Sequence, residues 1–172
     1  MRLFKLAIIS FCILFLVVTG IGLLFPKATR VSRATDIHAP VDSVYQYLMD
    51  IKYWKFWMSG ADTGMITFLS QKTSGAGTVV RFGNYEVREI SADKDSIVTE
   101  WKSAKGNAQV AVFNIIPHDS TTVTINWYFT SIANWYPWER FRSMLNDKIL
   151  GPPMENSLGA LKKRLEENRS GQ

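Results

Sequence analysis

Three charged residues interrupt otherwise apolar, strand-like segments in the middle of the chain: Glu86, Arg88 and Glu100. If Glu86 and Arg88 point into the protein beside Trp101, they can orient a polar head group or act as an acid and a base. If they point outward, they are solvated charges on one face of an antiparallel sheet. The outward interpretation is favoured, because charged residues rarely stay buried without a partner. Glu86 and Arg88 remain the polar candidates for a binding site.

The turn formers at residues 92–95 predict a register for the two strands that carry these charges. The expected partners are Arg88 with Thr99, Glu86 with Trp101, and Val87 with Glu100. Glu86, Arg88, Thr99 and Trp101 then share one face of the sheet, and Val87 and Glu100 share the other. One of these two faces must point toward the protein interior.

Other catalytic and metal-binding chemistries have little support. The only cysteine, Cys12, lies in an apolar segment, and the two histidines, His38 and His118, occupy surface-type positions. The glycines of Gly75-Ala76-Gly77 do not form a dinucleotide loop, because residue 80 is Val80 and a strand follows. We therefore predict no metal site, no cofactor and no catalytic residue, and binding is favoured over catalysis.

An uncharged apolar segment at residues 6–25 is long enough to cross the roughly 30 Å hydrocarbon core of a bilayer as a helix. It exceeds the usual signal-peptide apolar region and lacks a small-residue cleavage site, so a single-pass membrane anchor is favoured over a cleaved signal. Basic residues flank both ends and nearly cancel, which leaves the side of the membrane open. They are Arg2 and Lys5 before the segment, and Lys27, Arg30 and Arg33 after it.

Length and charge limit the remaining possibilities. A chain of 172 residues suits one globular domain. The formal net charge is +5, but basic residues are scattered among acidic ones rather than forming a stripe. A nucleic-acid surface is therefore not expected.

Alternating and helical patterns divide the part of the chain that follows the anchor. An extended segment ends at Pro40, a short amphipathic helix follows to Asp50, and the aromatic run at residues 51–58 forms a second short helix or turn. Six strand-like segments then alternate with turn formers and predict an antiparallel meander. Their predicted bounds are 65–69, 78–82, 85–91, 96–102, 108–116 and 121–132.

A four-residue turn at 117–120 predicts the register of the last two strands. It pairs Val112 with Ile125 and Val110 with Trp127, and together with Phe129 these residues form the candidate inner wall. A one-residue slip would instead bring Phe113 and Ile115 inward.

The C-terminal segment has helical spacing, with an interruption. One apolar stripe runs through Trp138, Phe141, Leu145, Ile149, Met154, Leu158, Leu161 and Leu165. The Gly151-Pro152-Pro153 sequence predicts a kink or break, because proline removes helix hydrogen bonds. Ahead of the stripe, Trp135 and Tyr136 are candidates for a cavity mouth or a membrane contact.

The order of these elements resembles the START-like or SRPBCC superfamily, which includes pollen-allergen-like proteins, lipid-transfer START domains and bacterial polyketide cyclase/dehydrase proteins. The segment from Ile37 to Tyr45 is similar to the opening of that superfamily's domains. The further points of similarity are Asp50 with Trp54 and Trp57, the Gly75 and Gly83-Asn84 turns, Trp138-Glu139-Arg140, Gly151, and the segment from Leu158 to Lys162. The C-terminal points of this set, from Trp138 onward, are similar to the C-terminal part of membrane-anchored bacterial members.

The resemblance implies an α+β helix-grip fold, in which a curved antiparallel sheet wraps around a long C-terminal helix. The expected organisation is a tail at 1–5, a transmembrane anchor at 6–25, a linker at 26–30, a START-like domain at 31–167 and a disordered tail at 168–172. It implies a membrane-tethered domain that binds a hydrophobic small molecule or lipid between sheet and helix. The alternatives are a cyclase- or dehydratase-like enzyme and a non-catalytic envelope interaction module whose interior is filled by side chains.

The expected cavity lining is mainly aromatic and aliphatic. Large aromatic residues belong to a packed core more often than to a ligand-binding site, but in this architecture the core and the cavity wall are the same surface. The candidates are Trp54, Trp57, Trp101, Val110, Val112, Ile125, Trp127, Phe129, Trp138, Phe141 and Leu145, with Glu86 and Arg88 as polar candidates.

Overall fold

Helices frame a single run of strands in this computed structural model, which describes residues 2–61, 64–104, 106, 108–134 and 136–170. The N-terminal elements are α1 (Arg2–Leu23), β1 (Ala28–Ile37), α2 (Val41–Met49) and a 3₁₀-helix (Ile51–Phe56). The strands that follow are β2 (Ile66–Phe68), β3 (Val79–Phe82), β4 (Tyr85–Asp93), β5 (Ser96–Ser103), β6 (Gln109–Pro117) and β7 (Val123–Ile132). The chain continues with α3 (Pro137–Met144) and α4 (Asn146–Ser170).

The seven strands form one antiparallel sheet in the order β1-β7-β6-β5-β4-β3-β2. Strands β2 to β7 follow one another as a meander, as predicted. The first and last strands also pair, from Ala28 opposite Ile132 to Ile37 opposite Val123. This pairing brings the end of α1 and the start of α3 to the same end of the sheet.

The core lies between the inner face of the sheet, the α2 and 3₁₀ segment, and the C-terminal part of α4. Helix α4 runs along β1, since Asn146 reaches Thr29, Glu155 binds Arg33, and Glu166 accepts the backbone N–H of His38. The buried face of α4 consists of Met154, Leu158, Leu161 and Leu165. The second half of the predicted apolar stripe is therefore confirmed.

The register of β6 and β7 differs from the predicted one. The observed partners are Val110 with Thr130, Val112 with Tyr128, Phe113 with Trp127, and Ile115 with Ile125. The strands join through residues 118–122, where the His118 N–H donates to the Thr122 carbonyl, rather than through a turn at 117–120. This shifts β7 by three residues, and an odd shift reverses the inward face of β6. Phe113 and Ile115 point inward, whereas Val110 and Val112 lie on the outer face.

The register of β4 and β5 is also one residue away from the prediction. The observed partners are Glu86 with Lys102, Val87 with Trp101, and Arg88 with Glu100. A two-residue turn at 94–95 and a bulge at Ile90 set this register. Glu86 and Arg88 lie on the exposed face, with Arg88 Nη2 and Glu86 Oε1 3.8 Å apart. The favoured outward interpretation is confirmed, and the alternative that they point inward is wrong.

The C-terminal helix continues through the two prolines. Of the two outcomes predicted there, the break is wrong and the kink stays a prediction. Pro152 and Pro153 lie inside α4, whereas the interruption between α3 and α4 falls at Leu145. The missing proline N–H groups leave the carbonyls of Lys148 and Ile149 without helical partners. Both residues are exposed, so water can satisfy those carbonyls.

Helix α1 is the described helix that is long and apolar enough to cross a membrane, by length and composition. Its side chains are almost all exposed. Gly22 is its buried residue, and α1 packs against α3.

Candidate functional site

The interior of the fold contains a connected cluster of buried aromatic rings. Neighbouring ring centroids are separated by 4.9 to 6.3 Å. The inner face of the sheet, the 3₁₀-helix and the residue that caps this helix supply the members of the cluster, which are Trp54, Trp57, Trp101, Phe113, Trp127 and Phe129. Offset and edge-on contacts of this kind hold each ring in place and make the centre of the interior strongly apolar.

The indole N–H groups of the cluster differ in whether they have a hydrogen-bond acceptor. Trp54 donates to the Leu48 carbonyl at 2.8 Å, and Trp57 donates to the Tyr47 carbonyl at 3.2 Å. These carbonyls belong to the last turn of α2, where helix carbonyls lack intrahelical donors. The buried Nε1 of Trp127, in contrast, has no hydrogen-bond partner.

A carboxylic acid, Glu89, lies beside this apolar interior. Glu89 is 1 % exposed and lies on the inner face of β4, two residues after the buried Val87. It belongs to a row of buried residues that crosses the inner face of the sheet from strand to strand. The row consists of Val31, Phe129, Ala111, Thr99 and Glu89.

The carboxylate of Glu89 is buried without full compensation. Neither of its oxygens has a partner with normal hydrogen-bond geometry. Burial raises the pKa of Glu89 to about 7; the nearby Gly75 N–H opposes this shift, and the charge of Asp50 adds to it. The Gly75 N–H thus offsets only part of the effect of burial. Near neutral pH the group exists in both its acid and carboxylate forms.

Local structure around Glu89 explains why the chain holds it there. The carbonyl of Glu89 accepts from Gly77 at 2.8 Å, and its N–H donates to Thr78 at 2.9 Å. Gly75 and Gly77 adopt positive φ angles of 82° and 89°, which glycine tolerates without steric cost. The loop therefore folds tightly against β4, and the tight turn predicted for these glycines is confirmed.

Helix α2 closes the other side of the Glu89 region. The Tyr45 hydroxyl donates to the Ala92 carbonyl at 3.1 Å, and burial raises the pKa of Tyr45, with smaller contributions from the charges of Glu89 and Asp93. Asp50 caps the 3₁₀-helix by accepting from the Lys52 N–H, and its carboxylate pairs with the Lys52 ammonium at 2.7 Å. The Asp50 carboxylate thus has a cationic partner in Lys52, whereas the Glu89 carboxylate has none in the described part of the chain.

The structure separates the sequence-predicted lining residues into two groups. Six of them meet in the buried interior, namely Trp54, Trp57, Trp101, Ile125, Trp127 and Phe129. The others do not belong to it. Val110, Val112, Glu86 and Arg88 lie on the outer face of the sheet, and Trp138, Phe141 and Leu145 are exposed on α3 and in the turn before α4. The predicted burial of the first half of the helical stripe is therefore wrong.

Sequence reasoning missed Glu89 and Thr99 as interior residues, and it placed Phe113 inward only in the alternative register of the last two strands. A signal for Glu89 was present in the alternation of β4, because side chains two residues apart share a face and Val87 is an obvious core residue. The inward orientation of Phe113 depends on the length of the turn after β6, which the sequence did not define.

Within the described ranges, no cluster of three or more His, Cys, Asp or Glu side chains is arranged to hold a metal ion. Asp50 and Glu89 are neighbouring acids, but Asp50 already forms an ion pair with Lys52. The chemistry available in the interior is therefore apolar contact, one indole donor and one titratable carboxyl group.

Comparisons with solved structures agree on the fold. No family model and no curated protein sequence matches the chain. A START superfamily protein from Mycobacterium smegmatis has 14% identity and a TM-score of 0.60, over 80% of this chain and 97% of the other. Norcoclaurine synthase from Thalictrum flavum has 13% identity and a TM-score of 0.61, over 83% and 96%. CalU16 from Micromonospora echinospora has 14% identity and a TM-score of 0.57, over 78% and 73%.

These similarities define the class of fold. The chain is an α+β protein with the START-like, or SRPBCC, helix-grip fold, preceded by an apolar N-terminal helix. The resemblance predicted from the sequence is confirmed at this level. Identities of 13–14% show the shared fold alone, and many different functions occur on one fold.

Proposed function

We propose that this protein is a membrane-tethered domain that encloses an elongated, mainly apolar small molecule or lipid, with Glu89 and Trp127 as its polar contacts. The observation that carries this proposal is the carboxyl group of Glu89, which is buried on the inner face of a helix-grip fold without a partner of normal hydrogen-bond geometry. Buried polar groups are nearly always hydrogen-bonded, so those that lack a partner mark places where a ligand group can bind.

The positions of the two polar groups constrain the ligand. Glu89 is on β4 and Trp127 is on β7, three strands apart, which corresponds to roughly 14 Å across a sheet. A molecule that contacts both groups must therefore be elongated. Between them it would meet the aromatic cluster, where burial contributes about 25 cal/mol per Å² of apolar surface. Because rings fill the centre of the interior, the ligand would lie between the rings and α4 or displace one of them.

The protonation state of Glu89 determines which ligand group it prefers. As a neutral acid it can donate to a carbonyl or hydroxyl oxygen, and as a carboxylate it accepts from a hydroxyl or amine. Trp127 Nε1 can only donate, so it suits an oxygen acceptor. The preferred ligand thus carries an oxygen acceptor at the Trp127 end and a hydroxyl, carbonyl or amine at the Glu89 end.

Helix α1 would supply the tether. Its length and apolar composition suit a single membrane crossing. A tether would keep the binding domain close to a membrane-resident ligand and raise the effective concentration of both.

The test is native mass spectrometry of the full chain after extraction in a mild detergent, followed by solvent extraction and identification of bound molecules. We expect a co-purified apolar species whose occupancy falls in the Glu89→Gln and Trp127→Phe variants. The matched control is Glu86→Gln, which changes an exposed carboxylate on the same strand. A protein that carries no bound species and excludes lipid-like probes would contradict the proposal and favour an interaction module with a filled interior.

A second candidate function is proton-transfer catalysis on the enclosed molecule. It is favoured by the pKa of about 7 that burial gives Glu89, because a general acid or base works best when its pKa is near the working pH. In that case Glu89→Gln would retain the bound molecule but leave it unconverted, so the variant and the unaltered protein would carry chemically different species. Identical bound species in the two proteins would support binding alone.

A further inference from the structure

Helix α3 and the first turn of α4 expose a continuous apolar face. The four residues of this face recur at intervals of three and four along the chain, and each is well exposed. They are Trp138 at 60 %, Phe141 at 39 %, Leu145 at 50 % and Ile149 at 58 %. We call this set the α3 apolar face.

Two charged residues of α3, Glu139 and Arg140, bond back to the protein instead. Arg140 is buried, and its Nε donates to the Asn134 carbonyl at 3.0 Å. Glu139 accepts from the backbone N–H of Asn134 at 2.7 Å. A surface helix of a water-soluble domain normally has the opposite orientation, with its apolar side inward and its charges outward. The inverted arrangement indicates that the outer surroundings of α3 are apolar.

Contacts with the residues that directly follow α1 identify those surroundings. The Phe25 and Phe141 rings meet edge to face with centroids 5.5 Å apart, and Arg140 Nη1 donates to the Phe25 carbonyl at 2.7 Å. The Ala133 N–H donates to the Lys27 carbonyl at 2.9 Å. These bonds fix α3 beside the end of α1, at the level where the uncharged segment ends.

The composition around α3 is typical of a membrane boundary. Tyr136 stacks on Trp138, with ring centroids 5.0 Å apart and planes 12° from parallel. Tyr and Trp concentrate at the headgroup level of bilayers, where an apolar ring and a polar edge are both satisfied. Lys27 and Lys148 are exposed near this region and can meet anionic headgroups. Trp135, which the sequence also assigned to this role, lies outside the described residues.

From these contacts we infer that the α3 apolar face docks into the headgroup and acyl boundary of the bilayer that α1 crosses. This inference rests on the proposed membrane tether. The occupant is the lipid surface itself, because the face is continuous with α1, a helix of membrane-spanning length and composition. Docking fixes the end of the sheet that carries Ala28 and Ile132 at the membrane, so the domain does not swing freely on a flexible linker.

The experiment measures the depth of spin labels on the full chain in vesicles of phosphatidylcholine and phosphatidylglycerol. Labels are placed singly at Leu145→Cys and Ile149→Cys in a Cys12→Ser background. A Lys163→Cys label on the exposed, distal part of α4 serves as the aqueous reference, and native Cys12 reports on α1. Collisions with oxygen, which partitions into lipid, are compared with collisions with a water-soluble nickel chelate.

We expect labels at 145 and 149 to collide more often with oxygen than with nickel, at headgroup depth, and the label at 163 to show the reverse. If Cys12 is deep but 145 and 149 are as aqueous as 163, docking is overturned while the tether stands. If Cys12 itself is aqueous, the tether fails and docking fails with it. Labels at 145 and 149 that are shielded from both reagents would indicate contact with a second copy of the chain and would overturn docking on lipid.

Discussion

Thr99 lies directly opposite Glu89 on the inner face of the sheet, yet its hydroxyl is not directed to the Glu89 carboxylate. The Thr99 hydroxyl donates to the Ala111 carbonyl at 3.3 Å and accepts the indole N–H of Trp101 at 3.0 Å. A hydroxyl has only one proton to donate. The Thr99 hydroxyl therefore has no proton left to donate to the Glu89 carboxylate, although the two residues are cross-strand partners.

Replacing Glu89 by glutamine should flatten the dependence of folding stability on pH. Burial raises the pKa of Glu89 to about 7 in the folded protein, above the ordinary value of 4.5 that applies to the unfolded chain. The folded state thus binds more protons between these values, and stability falls as pH rises from about 4.5 to 7. The difference corresponds to about 3 kcal/mol, as an order of magnitude. Glu89→Gln should therefore unfold at a higher temperature than the unaltered protein at pH 8, and the gain should shrink toward pH 5.

The measurement is thermal unfolding in detergent, followed by near-ultraviolet circular dichroism at several pH values. Glu86→Gln, on the exposed face of the same strand, tests whether loss of any β4 carboxylate has the same effect. An unchanged slope in Glu89→Gln would show that this carboxyl group ionises alike in the folded and unfolded chains.

Truncating Phe113 should destabilise the fold far more than truncating its outward-facing neighbour. Phe113 is fully buried and contacts Trp54, Trp57 and Trp127. Phe113→Ala should cost about 3–5 kcal/mol, because it removes apolar burial and leaves a cavity. Ile116→Ala, at an exposed position of the same strand, should change stability by less than about 1 kcal/mol. Denaturant unfolding of both variants checks this, and equal losses would contradict the observed register of β6.

Two glycines of α4 should respond differently to replacement by alanine. Gly159 is exposed with open space around its Cα, so Gly159→Ala should stabilise the helix by about 0.5–1 kcal/mol. A methyl group at Gly151 would collide with the guanidinium of Arg33, which Asp147 and Glu155 hold in place. Gly151→Ala should therefore give a smaller gain or a loss of stability.

A double-mutant comparison isolates the cause of that difference. In an Arg33→Leu background the collision with the guanidinium is absent, so Gly151→Ala should recover part of the helix-propensity gain. If Gly151→Ala and Gly159→Ala behave alike in the unaltered background, the Arg33 side chain yields freely and its ion pairs do not hold it.

The hydroxyl of Ser157 should contribute measurably to the attachment of α4. Ser157 is buried; its Oγ donates to the Pro153 carbonyl at 2.6 Å and accepts the Ser59 N–H at 2.8 Å. Ser157→Ala would leave the Ser59 N–H without its partner, at a cost of about 1–3 kcal/mol. The exposed neighbour Asn156→Ala is the control, and the measurement is denaturant unfolding. Equal stability of the two variants would mean that water replaces the lost oxygen.

Much of the fold was predictable because its signals are local. The alternation in β1 around Val31 and Ile37, the start of α2 immediately after Pro40, and the turn glycines at 75 and 77 each depend on residues a few positions apart. Registers were less accessible, because the length of the 118–122 connection and the bulge at Ile90 each reverse or shift a whole strand. The candidate site inherited that difficulty, since which side chains meet inside depends on the register.

The sequence by itself determined the order of the elements, the apolar N-terminal helix and the predominance of aromatic residues in the interior, because periodicity and composition encode them directly. Only the tertiary structure decided that Glu89 rather than Glu86 or Arg88 faces that interior, and that Trp138, Phe141 and Leu145 face outward. The first depends on the register that the turn at 94–95 and the bulge at Ile90 give to β4, which the alternation around Val87 only indicated. The second depends on where the end of α1 docks against α3, a long-range relationship that no local spacing records.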